Sequence, residues 1–300
     1  MLVTYQDSTR REDLIKILKD ISPLDGNYLY DNLGMTDASG TLHEWTTRHI
    51  DRATSVTHRA EGFEAGEGDP KLGTRSNNVT AIVAREVKVS KTELAVATAT
   101  GKDPFADQKE IALQRLVQDH EYVIVNGAKA SGASGTARQT AGIDNMISSH
   151  VTARASGTSM SVTEIEDIME EVWNDVGNGF VGRTLLVPMG IARTISGFTT
   201  NITNYVEETD KLYRNIKTFE GSAGQVKVVP HKDVRNVAGS TTVYLVNEDM
   251  YKVAYLRKPE WDDQPATGSY VRGMYESEFT VESLAEKASA KRTGYKKEAH

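Results

Sequence analysis

Leu14, Ile17, Leu18 and Ile21 recur at the spacing of one helix face, which predicts a short amphipathic helix in REDLIKILKD. Ser22–Pro23 ends it, because the residue before a proline is pushed out of the α region. Two turns of apolar stripe are marginal alone. Residues 1–40 therefore read as an arm lying on its own body or on a neighbouring copy. Residues 41–60 are rich in Thr, Val and charge, without Gly or Pro. Residues 79–98 alternate: Val79, Ala81, Val83, Arg85, Val87 and Val89 on one face, Thr80, Ile82, Ala84, Glu86, Lys88 and Ser90 on the other. Between them EGFEAGEGDPKLG carries Gly62, Gly66, Gly68, Pro70 and Gly73. The unit reads as a long two-stranded hairpin with an acidic tip. Such a hairpin is marginal in water, so contacts outside itself have to complete it.

A long helix follows from Pro104 to Asn126, with Asp103 as N-cap, Pro104 in the first turn and Gly127 as the stop. Its apolar face is Ala112, Leu113, Leu116, Val117, His120, Val123 and Ile124. At 1.5 Å per residue it spans roughly 34 Å. Residues 128–142 are small and polar, a loop. The second half reads α/β. A helix over 163–176 opens on a Thr163…Glu166 capping box and carries Ile165, Ile168, Met169, Val172, Trp173 and Val176 on one stripe. Strands are predicted at 184–188, 225–230, 241–247 and 250–256, with a short helix at 189–198. Residues 269–297 alternate as one or two long strands.

Composition narrows the function. With 300 residues the chain makes one large or two modest domains. A net charge of −7 argues against a dedicated nucleic-acid binder. There is no cysteine, which removes disulfides, thiolate zinc sites, iron–sulfur clusters and cysteine nucleophiles. No apolar run approaches the ~20 residues of a membrane span, and the polar first residues lack the apolar centre of a signal peptide. A soluble protein made inside the cell is the expectation.

The motif search yields no site. Gly177 to Gly182 matches GxGxxG, but a helix precedes it and a strand follows, the reverse of a dinucleotide fingerprint. His43, His49 and His58 lie on an extended segment that cannot bring two of them to one metal. His120 falls in the long helix's apolar seam, as a core or interface histidine. Gly132-Ala133-Ser134-Gly135 falls one residue short of a nucleophile elbow. The acids of helix 163–176 read as a solvated face. Catalytic, cofactor and metal residues are therefore none, no cofactor is expected, and the protein reads as a non-enzyme built for contacts.

The ordered segments then carry a resemblance. They run REDLIKILKDISPLD, TLHEWTT, AEGFEAGEGDP, SNNVTAIVAREVKVSKT and DPFADQKEIALQRLVQDHEYVIVNG, then VPMGIARTISGF, KVVPH, TTVYLVNEDMYKVAYLRKP and ESEFTVESLAEKASAKRTG. The set, over roughly residues 8–295, resembles the major capsid (major head) proteins of tailed bacteriophages with the Hong Kong 97-type fold. That resemblance implies an α+β chain with an N-terminal arm (1–40), an extended β-hairpin loop (41–100) and a peripheral domain with a long spine helix (101–139). An axial α/β domain (140–255) and return strands of the peripheral domain with a C-terminal tail (256–300) complete it. It implies hexamers and pentamers forming an icosahedral phage head around double-stranded DNA, assembled in the bacterial host cytoplasm and located in the virion. The implied partners are the chain itself, a separate scaffolding protein, a portal and a decoration protein, with no sequence-specific DNA contact and no membrane. An encapsulin-like cellular nanocompartment shell protein is the alternative; a cytosolic α/β hydrolase is the rival of another class.

Charge suggests where copies meet. The tip carries Glu61, Glu64, Glu67 and Asp69 within nine residues. Basic counterparts on an adjacent copy would be Arg10, Arg11, Lys16 and Lys19 of the arm, or Arg48, Arg52 and Arg59 at the hairpin base. The bland alternative is a solvated loop. Lys287, Lys291, Arg292, Lys296 and Lys297 form a basic tail, the one plausible DNA contact.

Overall fold

The computed structural model describes residues 27–50, 55–56, 58–64, 71–96, 103–177, 183–198, 218–221, 224–236 and 240–296. The amphipathic helix expected near Leu14–Ile21 lies outside them. The chain runs α1 (Tyr28–Asn32), β1 (Gly34–Asp37), β2 (Leu42–Thr47), β3 (Thr74–Val79), β4 (Ala81–Ser90), α2 (Lys91–Ala95) and α3 (Pro104–Asn126). It continues α4 (Ile143–Met146), β5 (Val151–Thr158), α5 (Val162–Val176), β6 (Thr184–Val187), α6 (Met189–Ser196), β7 (Thr218–Gly221) and β8 (Gly224–Pro230). It ends with β9 (Thr241–Val246), β10 (Tyr251–Gln264), β11 (Tyr270–Ser283) and β12 (Ala290–Tyr295).

These strands form a four-stranded sheet β1-β10-β11-β4, a six-stranded sheet β5-β12-β9-β6-β8-β7, and the separate ladder β2-β3. The central strands β6 and β9 of the six-stranded sheet are buried on both faces, which explains why TLLV reads as a continuous apolar run. Leu185, Val187, Val243 and Leu245 face Ile165, Ile168, Met169 and Val172 of α5 and Ile191 and Ile195 of α6. The alternate residues Leu186, Tyr244 and Val246 face a second core, shared with Ile124 of α3, Leu29 of α1, and Tyr251, Val253, Phe279 and Val281. One apolar core thus joins the two larger sheets through α3.

Helix α3 begins as read: Asp103 accepts from the Phe105 amide, with proline at the first position. Its end differs in cause. Gly127 has φ −55°, so no left-handed conformation is needed. Instead a Cβ there would meet Thr140 O at 2.5 Å, Val123 O at 2.6 Å and Gly142 N at 2.9 Å. Glycine is required by the close approach of loop 140–142, which the Gly142 amide seals by donating to Gly127 O at 2.8 Å.

Glu121, the neighbour of the predicted seam residue His120, is a fully buried acid. Its Oε1 accepts from the Leu29 amide at 2.8 Å and from His231 Nε2 at 2.6 Å, and its Oε2 accepts from the Tyr30 amide at 2.6 Å. The Asp233 amide donates to His231 Nδ1 at 3.1 Å, which places the ring proton on Nε2. One carboxylate therefore caps the open amides of α1, where Asn27 supplies no side-chain cap, and ties α1 and α3 to the turn after β8.

Several expectations are corrected. The second hairpin strand is Thr74–Val79, in register Leu42↔Val79 to Thr47↔Thr74. The alternating stretch 81–90 instead pairs with β11 in the four-stranded sheet. TRSNNV is polar, so it carries no alternation signal. The strand read as ending at Leu256 runs to Gln264, with register shifts between Tyr255 and Glu260 that accommodate Pro259, a residue without an amide proton. The terminal stretch, read as returning to the peripheral sheet, divides: β11 joins the four-stranded sheet, and β12 lies between β5 and β9 in the six-stranded one. Helix α5 is capped by Ser161, which accepts from the Glu164 amide, one turn fragment ahead of the Thr163 box. Leu113 and Trp173, counted on apolar stripes, are each 40% exposed.

Two charge readings change as well. Four of the six acids of α5 are engaged: Glu164 takes Arg154 Nε at 2.9 Å and the Tyr295 hydroxyl at 2.9 Å, Glu171 pairs with buried Arg292, Asp167 lies 3.8 Å from Arg154 and Asp175 pairs with Lys287. Glu166 and Glu170 stay on an exposed face as read. The basic tail is strand β12 and its approach. Lys291 pairs with Asp144 at 2.6 Å and Lys287 with Asp175 at 3.2 Å. Those charges are spent inside the fold; Lys297 lies outside the described residues.

Candidate assembly interface

Ladder β2-β3 leaves the body at its base and carries the segment between Thr47 and Thr74. Period-two alternation sets which residues anchor it. His43, Trp45 and Thr47 turn inward, and Leu42, Glu44 and Thr46 outward. Trp45 Nε1 donates to Ser283 O at 2.6 Å, and His43 Nε2 lies 3.4 Å from Glu282. On β3, buried Asn78 is the fixed point. Its amide donates to Thr140 Oγ1, Ala141 O and Val281 O at 2.9, 3.1 and 2.9 Å. Its Oδ1 accepts from the Val79 and Ala141 amides, both at 2.9 Å. Next to it, Thr80 Oγ1 donates to Glu278 at 2.6 Å, and Arg138 reaches the same carboxylate at 2.7 Å.

Beyond the base the side chains lose the body. Ile50 is 73%, Val56 74% and Leu72 85% exposed. A turn closed by the Phe63 amide on Ala60 O carries Gly62 at φ 83°, a conformation that favours glycine. Glu61 lies within this turn and Glu64 follows it, and both are exposed. The Arg59 guanidinium lies 4.4 Å over the Phe63 ring. Among the described residues, neither Glu61 nor Glu64 is paired with Arg48 or Arg59 within the chain. Glu67, Asp69, Arg10, Arg11, Lys16, Lys19 and Arg52 lie outside the described residues.

A groove of about 550 Å³ opens at the base of the extension, between ladder β2-β3, helix α4 and the turn after β11. Trp45, Arg48, Asn77, Lys129, Met146 and Lys287 line it. Of these, the sequence singles out Arg48 as a basic counterpart of the tip and Lys287 as part of a basic tail. Lys129 sits in a loop that reads as featureless. The fold brings them together.

Elsewhere the buried titratable groups serve structure. His120 Nε2 meets Ser277 Oγ at 2.6 Å, with the Phe279 ring at 4.4 Å. Burial, outweighing the Asp119 charge, pushes its pKa down to about 4. Burial pushes the Tyr251 phenol up to about 12. Among the described residues no set of acidic and histidine side chains is arranged to hold a metal, and no helix is long and apolar enough to cross a membrane.

Comparison with known proteins follows this geometry. A family model described as SU10 major capsid protein matches residues 2–296. No curated protein matches the sequence. Among solved structures, the capsid asymmetric unit of cyanophage A-1(L) superimposes with TM-score 0.70 at 12% identity, covering 98% of this chain and 99% of that one. The capsid of the native GTA particle gives TM-score 0.65 at 9% identity, covering 97% and 96%. The holo-SrpI encapsulin of Synechococcus elongatus PCC 7942 gives TM-score 0.64 at 10% identity, covering 96% and 94%. At these identities the structures share the fold, the Hong Kong 97-type capsid fold.

Proposed function

The chain belongs to the SU10 major capsid protein family, and from that premise we propose how this phage major capsid protein builds its shell. Its role is structural, in the capsid of the virion, and its partner is foremost itself. Copies associate as hexamers and pentamers of an icosahedral head that encloses double-stranded DNA. The four-stranded sheet with α3 as spine helix forms the peripheral part, and the six-stranded sheet forms the axial part at the capsomer centre. Residues 1–40 act as the arm, with Tyr28–Asn32 and Gly34–Asp37 joining it to the body. The extended loop ends at Val79, at the Asn78 anchor, and lies across a neighbouring copy. A separate scaffolding protein and a portal take part in assembly in the host cytoplasm, with a decoration protein as a further partner.

The observation that carries this reading is the extension itself. Among the described residues its anchoring contacts lie at its base, and Ile50, Val56 and Leu72 present exposed apolar surface. The fold is shared with an encapsulin, but the family model favours the phage capsid over a cellular compartment. DNA is contained rather than tightly bound, since the net charge is −7 and the Lys and Arg of β12 are paired internally. The test is to express the protein with its candidate scaffolding partner and sediment the product. Closed particles that release DNA-free capsomers on disassembly fit. A compact monomer under every assembly condition, or a salt-sensitive sub-micromolar complex of capsomers with duplex DNA, contradicts the reading.

A further inference from the structure

We infer that the groove at the base of the extension is the seat for the acidic tip of a second copy, a contact that rests on the shell reading above. The groove is chemically lopsided. Arg48 and Lys129 line it as exposed cations, while Lys287, which also lines it, is paired with Asp175 at 3.2 Å. Lys129 is held by neutral oxygens of Asn77, its backbone carbonyl at 2.8 Å and side-chain oxygen at 2.5 Å, so no carboxylate neutralises it there. The lining acid, Glu286, is already committed: it accepts from the Ser148 and Ser149 amides at 3.1 Å each and from the Ser149 hydroxyl. Apolar surface accompanies the charge, from Trp45 and Met146.

The tip has the opposite pattern. Glu61 lies within a tight turn and Glu64 follows it, Glu67 and Asp69 come next in the sequence, and the half-exposed Phe63 ring sits among the acids. An acidic, aromatic tip matches a basic, apolar groove. Neither Glu61, Phe63 nor Glu64 of the chain lines its own groove. Tip and groove are different surfaces of the chain, so seating the tip of one copy in the groove of the next is a head-to-tail contact. Such contacts close into rings when the rotation between copies allows. The groove residues come from ladder β2-β3, the loop after α3, α4 and the turn after β11. Seating a tip would therefore also brace these elements against one another.

Two experiments test this. A synthetic peptide of residues 58–72 is titrated against the unassembled protein and against its Arg48→Glu/Lys129→Glu variant, with equal melting temperatures confirming that both are folded. Salt-sensitive binding that weakens about tenfold in the variant, the scale of two exposed ion pairs, is expected. Equal binding by both proteins, or none by either, overturns the seat. In parallel, particle yield is measured for Arg48→Glu/Lys129→Glu, for Glu61→Lys/Glu64→Lys, and for the four changes combined. The seat predicts low yield from each pair and recovery in the combination; undiminished yield from either pair, or no recovery, contradicts it. If the peptide binds as expected while the wild-type protein forms no particles, the shell reading falls and the seat stands.

Discussion

Replacing Glu121 by glutamine tests the joint between α1, α3 and the turn after β8. The carboxylate receives three donors, the Leu29 and Tyr30 amides and His231 Nε2, and both Glu121 and the His231 side chain are fully buried. A glutamine keeps one oxygen and adds an NH2 group. In either orientation that NH2 faces a donor: Tyr30 N–H in one, Leu29 N–H and His231 Nε2–H in the other. At least one buried donor is left unsatisfied, and charge-assisted bonds become neutral ones. A lost hydrogen bond to a charged group is worth about 1.5–3 kcal/mol. We expect a loss of about 3 kcal/mol. At about 2–4 °C per kcal/mol for a large domain, the melting temperature of unassembled protein falls by roughly 6–12 °C. Hydrogen exchange at Leu29 and Tyr30 should accelerate more than at Leu185 or Val243 in the six-stranded sheet, since the lost partner is local. A melting shift under about 2 °C, with unchanged exchange at Leu29 and Tyr30, would refute the reasoning.

Two further outcomes follow. His120 is buried neutral with its pKa lowered to about 4, so between its ordinary value near 6.5 and about 4 the unfolded chain binds the extra proton; stability is retained above that window and declines as pH falls through it, by up to roughly 3 kcal/mol. Melting curves from pH 7 to 4 should show the decline and His120→Gln should flatten that part of it; an unchanged slope in the variant removes the assignment. Gly127→Ala drives a Cβ onto the carbonyl oxygens of Thr140 and Val123 at 2.5 and 2.6 Å, and a cost of about 1–3 kcal/mol is expected from denaturant titration, whereas a gain, as for an ordinary helix-end glycine, would refute the close-approach account.

What was legible in the sequence was whatever local physics decides. The 104–126 helix announced itself through Asp103, Pro104 and its period, and TLLV through an apolar run that only a strand buried on both faces explains. Strand 81–90 was readable but its partner was not, because alternation fixes a face and says nothing of which strand lies alongside. TRSNNV was invisible as a strand: it is polar, and Asn78 anchors it through four hydrogen bonds to segments near residues 140 and 281 rather than through apolar pairing. Glu121 was passed over because an acid beside an apolar seam reads as solvated until the amides of α1 are seen to need it. The acidic tip was legible from composition. Lys129 was not, nor was the place of the basic-tail residue Lys287 beside it, since a groove assembled from distant loops leaves no pattern along the chain.

The central claim is that this capsid protein completes its extension on a neighbouring copy. Electron cryomicroscopy of assembled particles tests it most directly. The account predicts a closed shell in which residues between Thr47 and Thr74 lie on the adjacent subunit, covering Ile50, Val56 and Leu72. A shell, or a monomer, in which those side chains pack against their own chain would contradict it.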